Sequence, residues 1–266
     1  MPYFEGARGR LHYRRWSLDR PAATLVLLPG TGQHSGHYHR FARALAPAGI
    51  ELWTLDTSGH GLSEGDPERP GSLPELAADA LTFLALVPSP PPLFLMGHSL
   101  GAATALAAIT ADPTPPCAGL ILCGTPKAVL AGQPPKSARG AAATEPRSVG
   151  ATVARSGRSV GGTHPQPSTA LGDASNPARG KSVSTAPGRG IEGGREPVLP
   201  EGTAVLCVHG VDDRRTPVGP VREWAGRVAA EFREYEDAGH DLLHEPVHAE
   251  VTADIADWVR SVAGSL

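Results

Sequence analysis

The sequence predicts an α/β fold, a mostly parallel central sheet with helices on both faces. Three observations carry that expectation. Short runs that are apolar throughout alternate with longer runs whose apolar residues recur at helical spacing. Strands that are apolar on both sides need cover on both faces, which strand-helix alternation supplies in a parallel sheet. The alternation stops near residue 130 and resumes near 203, so two core segments flank a stretch of different composition.

In chain order, "YFEGARGRLHYRRW" reads as a hairpin at the sheet edge. The runs "ATLVLLP" (23–29), "IELWTLD" (50–56), "PLFLMGH" (92–98) and "GLILCGT" (119–125) have strand length and end in Gly, Pro or polar residues. Between them, "YHRFARALAPAG", "SLPELAADALTFLAL" and "SLGAATALAAITAD" carry apolar residues at helical spacing. The pattern returns with "TAVLCVHG" from about 203, a helix around 218–230, a strand "EFREYED" and a last helix from about 245 to 263, with Pro246 in its first turn.

Residues 1–130 and 201–266 thus read as two parts of one core. Residues 131–200 differ in kind: forty of these seventy are Gly, Pro, Ser or Ala, none is aromatic, and the few aliphatics follow neither period. Such a segment cannot bury enough apolar surface to offset the entropy of ordering it, so it is expected to be disordered. Two origins account for it. It is a flexible insertion, or it is GC-rich coding sequence read out of frame and restored near residue 200, which Arg, Gly, Pro, Ser and Ala enrichment favours. If neither other frame of the gene encodes an amphipathic helical stretch there, the second origin is excluded.

The 266 residues carry a net charge of −3 and no long basic run, so nothing points to a nucleic-acid partner or to an anionic membrane, and no nucleic-acid partner is expected. No apolar stretch reaches the length of a membrane span and the N-terminus lacks the apolar core of a signal peptide, so a cytoplasmic location is expected, with membrane contact peripheral at most. Cys117, Cys123 and Cys207 have no metal-ligand spacing; Cys123 and Cys207 lie in strand-like runs, as small hydrophobes do. Neither a metal nor an organic cofactor is expected.

The pattern Gly-x-Ser-x-Gly occurs three times, at 61–65, 97–101 and 157–161. It presents a serine nucleophile only on a sharp strand-to-helix turn. "GLSEG" runs into the helix-breaking "DPERPGS", and "GRSVG" lies in the low-complexity segment. Ser99 alone follows an apolar strand directly and precedes an alanine-rich helix. A serine hydroxyl needs a base and an orienting carboxylate. On this kind of turn the chain order is Ser, then Asp or Glu, then His. "CVHGVDDRRTPV" and "YEDAGHDLLHEP" follow the last two strands and offer Asp213 and His240 at strand C-termini. Spacing leaves Asp212 open beside Asp213, which motif position favours. Backbone N–H donors for an oxyanion are expected from Leu100, at the helix start, and Thr31, in the loop "LLPGTGQHSGHY". The remaining histidines, His98 and His209 among them, have ordinary packing or surface readings.

Together "LPGTGQHSGHYHRFARALAPAG", "LDTSGHGLSEG", "MGHSLGA", "VHGVDDRRTPV" and "DAGHDLLHE" resemble the monoacylglycerol lipase and lysophospholipase branch of the α/β-hydrolases, the serine aminopeptidase-like group, over most of residues 10–130 and 200–263. The resemblance implies an α/β-hydrolase fold, the triad Ser99, Asp213 and His240, oxyanion donors at Thr31 and Leu100, and no cofactor. His34 and Ser35 match the loop motif of that group, and His60 its "GHG" turn, read as structural. Two departures stand out. Pro29-Gly30 replaces the usual His-Gly, and the low-complexity segment replaces the helical cap that shapes the acyl pocket. A mouth left without a packed cap would expose apolar surface and favour self-association or lipid contact.

The implied activity is hydrolysis of a small-molecule acyl ester, of monoacylglycerol or lysophospholipid type, through an acyl-enzyme. Peptidase or thioesterase chemistry on the same triad is the near alternative. A non-catalytic relic whose cap is lost is the alternative from another class. Dehalogenase chemistry, which uses Asp at the nucleophile position, is disfavoured by Ser99.

Overall fold

A computed structural model describes residues 1–111, 117–130 and 198–266. The expectations of disorder and of a lost cap fall on residues 131–200 and lie almost wholly outside the described residues. The strands are β1 (Tyr3–Gly6), β2 (Gly9–Trp16), β3 (Ala23–Leu28), β4 (Ile50–Leu55), β5 (Leu93–His98), β6 (Gly119–Cys123), β7 (Ala204–Gly210) and β8 (Glu231–Tyr235). The helices are α1 (His39–Leu45), α2 (Leu73–Leu84), α3 (Leu100–Ile109), α4 (Lys127–Leu130), α5 (Val218–Arg227) and α6 (His248–Ala263). Among the described residues the strands form one eight-stranded sheet in the order β1-β2-β4-β3-β5-β6-β7-β8.

From β4 to β8 every neighbouring pair is parallel, while β1 and β2 form the antiparallel hairpin that borders β4. Side chains alternate between two cores. Leu25, Leu27, Phe94, Met96, Ile121, Leu206 and Val208 face α1 and α6, where Phe41, Leu45, Val251 and Ile255 meet them. Val26, Leu28, Leu95, Leu120, Leu122 and Cys207 face α2, α3 and α5 on the other side, meeting Phe83, Leu106 and Trp224. β3 to β6 are buried at every position, which is why their sequences lack a period of two.

The order reverses between β3 and β5, since β3 leads to β4 on one side and to β5 on the other. Chain crossings diverge there and open a crevice at the strand C-termini. α3 starts within that crevice. It is alanine-rich and buried on most sides, so it sits close to the sheet. The expected last helix is shorter than its sequence pattern. It begins at His248, because Glu245 turns its carboxylate to the N–H groups of Gly239 and Asp241, and Pro246 then lies in the turn before the helix.

Candidate active site

Ser99 joins β5 to α3 with φ 52° and ψ −115°, a conformation disfavoured for any residue with a Cβ. The surrounding backbone holds it there. Its N–H donates to Cys123 O at 3.0 Å, and its carbonyl accepts from the N–H groups of Ala102 and Ala103. A Cβ at Gly97 would run into the Gly101 carbonyl, and one at Gly101 into the Leu28 carbonyl. The two glycines therefore let helix and strand approach closely enough to force the turn.

His240 lies on the loop after β8, with Nε2 2.9 Å from Ser99 Oγ. Its Nδ1 is 2.7 Å from Asp213 Oδ2, on the loop after β7. A carboxylate only accepts, so Nδ1 carries the proton and the Nε2 lone pair faces the serine hydroxyl. Asp213 Oδ1 accepts from Arg215 N at 2.7 Å and Thr216 N at 3.0 Å. Burial pushes the Asp213 carboxyl up, but the His240 hydrogen bond and those two N–H groups outweigh it and hold the group below its ordinary range. Asp212, the neighbour that spacing left open, is exposed.

Leu100 opens α3, whose first N–H groups have no acceptor within the helix. Thr31 lies with its side chain exposed on the turn after β3. The backbone of that turn abuts the nucleophile: a Cβ built on Gly30 would stand 3.2 Å from Ser99 Cβ and 2.8 Å from His98 Nδ1. His34 lies one turn further along, its Nδ1 accepting from Gly36 N at 3.1 Å, and Ser35 N donates to the buried Asp56 at 2.6 Å. His60 is buried against the Ser58 carbonyl at 3.0 Å.

Several residues at the site escaped sequence reasoning. His98, set aside as an ordinary strand-end residue, is 3% exposed and makes ring contacts to Gln33 and to the His240 carbonyl. His209 is fully buried, with Nε2 2.8 Å from Thr216 O and 3.3 Å from Asp213 Oδ2. Gln33 and Asp241 meet at 3.0 Å although 208 positions apart. Adjacency to Ser99 was the one available signal for His98; nothing in the spacing pointed to the other three. Burial pushes the Cys117 thiol to about 11 and Cys207 to about 12, so both stay protonated at neutral pH. Among the described residues no helix is long and apolar enough to cross a membrane.

A parallel sheet with a serine on a strained strand-to-helix turn, and His and Asp on the loops after its last two strands, defines an α/β-hydrolase. The profile of the serine aminopeptidase S33 family matches residues 19–177, and the chain belongs to that family, on its monoacylglycerol lipase-like branch. A monoacylglycerol lipase of Mycolicibacterium smegmatis is 27% identical over 97% of this chain and 96% of its own. Human monoglyceride lipase is 33% identical over 46% of this chain and 42% of its own length. Among solved structures, a lipase in its open form superposes with a TM-score of 0.68 at 19% identity, covering 98% of each chain. A monoacylglycerol lipase of Paleococcus ferrophilus gives 0.61 at 19% identity, over 95% of this chain and 99% of its own. At such identities the structures speak for the fold.

Proposed function

We propose that the protein is a carboxylic ester hydrolase that cleaves a monoacylglycerol or lysophospholipid-like ester through an acyl-enzyme on Ser99. The observation that carries this reading is the hydrogen-bonded chain from Ser99 Oγ through His240 to Asp213, on the edge of the sheet where the Gly30–Thr31 turn also lies. The branch of the family, with monoacylglycerol lipases among its relatives, supports an ester as the substrate.

In this reading Ser99 Oγ attacks the acyl carbon while His240 Nε2 takes the hydroxyl proton. The carbonyl π electrons move to the oxygen, and the resulting oxyanion is held by the backbone N–H groups of Leu100 and Thr31. Asp213 stays ionised and stabilises the imidazolium. The oxyanion collapses, the ester C–O bond breaks, and His240 gives its proton to the departing alcohol. Water then enters, loses a proton to the same Nε2, and attacks the acyl-serine. Collapse returns the proton to Ser99 Oγ and releases the carboxylic acid. The triad alone does not select the leaving group, so thioesters and amides belong in the substrate panel.

The test is fluorophosphonate labelling of the purified protein beside Ser99→Ala and a heat-denatured control. Labelling that disappears in both controls is expected, followed by turnover in an acyl-ester chain-length series. A folded protein that takes no label sinks this reading and leaves a non-catalytic member of the family.

A further inference from the structure

The polar groups behind the nucleophile have a donor and acceptor count that a neutral His98 cannot satisfy. His98 Nε2 lies 2.9 Å from the His240 carbonyl oxygen, which only accepts. His98 Nδ1 lies 2.8 Å from Gln33 Oε1, which also only accepts. A neutral imidazole has one N–H, so either tautomer would press a nitrogen lone pair against an oxygen lone pair at one of these contacts.

Turning the Gln33 amide over does not remove the conflict. Gln33 Oε1 also accepts from Gly30 N at 3.1 Å and from the Tyr38 hydroxyl at 2.6 Å, while Nε2 donates to Asp241 Oδ1 at 3.0 Å. The reversed amide would set an NH2 group against the Gly30 N–H and an oxygen against a carboxylate. That exchanges one conflict for two.

We propose that His98 and Gln33 form a positioning lock, with a proton on both ring nitrogens of His98, that fastens the Gly30–Thr31 turn to the His240 loop behind Ser99. Each end of the lock grips backbone. Gln33 holds the Gly30 N–H, one residue before the Thr31 N–H, and His98 holds the carbonyl of His240 itself. The lock thus ties the oxyanion turn and the base to the strand end that carries the nucleophile.

The charge has a counter-charge on the spot. Asp241 Oδ1 stands 3.8 Å from His98 Nε2. Burial lowers the affinity of the His98 ring for its second proton, and the nearby His240 and His244 work in the same direction. The His240 carbonyl and Asp241 oppose them without offsetting burial, so the ring's pKa is lowered on balance, and the second proton is inferred from the two acceptor contacts alone. Tyr38 reaches Gln33 from the start of α1. His244, whose Nδ1 lies 2.8 Å from Asp241 Oδ1 and Nε2 3.1 Å from the His37 carbonyl, also faces two acceptors; the Asp241 hydrogen bond raises its pKa. Asp241 is therefore the anion that the two rings share, and Gln33 is the neutral link between it and the oxyanion turn.

The effect of the lock on catalysis rests on the reading of Ser99 and His240 as nucleophile and base, whereas the protonation of His98 does not. The experiment keeps the two apart. The wild-type chain, labelled with nitrogen-15 in its histidine rings, is studied by NMR at pH 7, with the His98 ring assigned through bonds to its own backbone. Both His98 nitrogens are expected at protonated shifts, with slow proton exchange. A shift typical of an unprotonated nitrogen at either position overturns the lock.

The second arm compares fluorophosphonate labelling rates of wild type and Gln33→Leu, and their KM values for an ester substrate. At least tenfold slower labelling with KM within threefold is expected, since a displaced oxyanion donor acts on the transition state rather than on ground-state binding. A smaller loss overturns the positioning role. Should wild type take no label at all, the nucleophile reading fails while the ring nitrogens still decide the lock. Should Gln33→Leu fail to fold, the wild-type spectrum decides alone.

Discussion

Asp213 and Asp212 are adjacent in sequence and opposite in circumstance, and the difference is measurable. Asp213 is buried and spends both carboxylate oxygens, one on His240 and one on two backbone N–H groups. Asp213→Asn would turn an NH2 group toward His240 and favour the wrong tautomer, so kcat is expected to fall by about 10⁴-fold. Asp212→Asn, on an exposed side chain, is expected to change kcat/KM by less than about twofold. A reversed order of the two effects in steady-state kinetics would remove Asp213 from the triad. Thr31 makes a similar point about backbone against side chain. Its proposed donor is the N–H, so Thr31→Ala is expected to keep labelling within about threefold of wild type, whereas an effect above tenfold would assign the work to the hydroxyl.

Elements place these groups through contacts that single residues control. α3 reaches the C-terminal end of β3 only because Gly101 has no side chain there. Gly101→Ala would have to push helix and strand apart, and a loss of about 3 kcal/mol or more is expected in denaturant titrations, with Ser99 labelling lost alongside. Labelling and stability that survive together would mean that the turn tolerates a wider spacing. α2 is set differently. Its N-terminus is fixed by Glu75, whose carboxylate accepts from the N–H and hydroxyl of Ser72. Its buried Asp79 accepts from Ala7 N at 2.6 Å and so docks the hairpin turn. Burial raises the Asp79 pKa, with the Ala7 bond opposing and Glu75 adding to the rise. A carboxyl whose folded pKa is raised contributes fully below its unfolded pKa and loses that contribution as pH rises through the folded one. Asp79→Asn keeps the acceptor without the charge. It is therefore expected to raise Tm at pH 7 and to give no gain near pH 3, and an equal gain at both would refute the electrostatic account.

The whole molecule adds these linkages. Glu51, Asp213 and Asp241 all have lowered pKa values; in each case burial works against the shift and hydrogen bonds prevail, from Arg15, His240 and His244 respectively. Their contributions are present above the unfolded carboxylate pKa and are lost as pH falls through the folded values, so Tm is expected to drop steeply below about pH 4. His244 runs the other way. Its pKa is raised, so what it adds is complete below its ordinary value and fades as pH rises through the folded one. Thermal melts from pH 3 to 9 should therefore fall steeply on the acid side and gently on the alkaline side, and a flat acid limb would show that these carboxylates are not linked to folding.

The fold and the three residues whose side chains meet at the strand-to-helix turn, Ser99, Asp213 and His240, were legible in the sequence because they rest on local patterns. Apolar runs of strand length, helical spacing between them and Gly-x-Ser-x-Gly at one strand-to-helix junction are each confined to a few consecutive residues. Asp213 and His240 were found because parallel crossovers deliver every strand C-terminus to one edge, so position after a strand already implies place in the crevice. The start of α6 was misjudged because Glu245 bonds back to a preceding loop, a contact that periodicity does not register. Beyond the place of His98 next to Ser99, no local pattern points to Gln33, His98 and Asp241 as partners. Their meeting depends on how the loops after β3 and β8 pack against the end of β5, and the hydrogen-bond count that joins them arises because burial keeps water from the His98 ring. The sequence by itself thus determined which elements form and which edge they share. The tertiary structure decided which polar groups on that edge must satisfy one another.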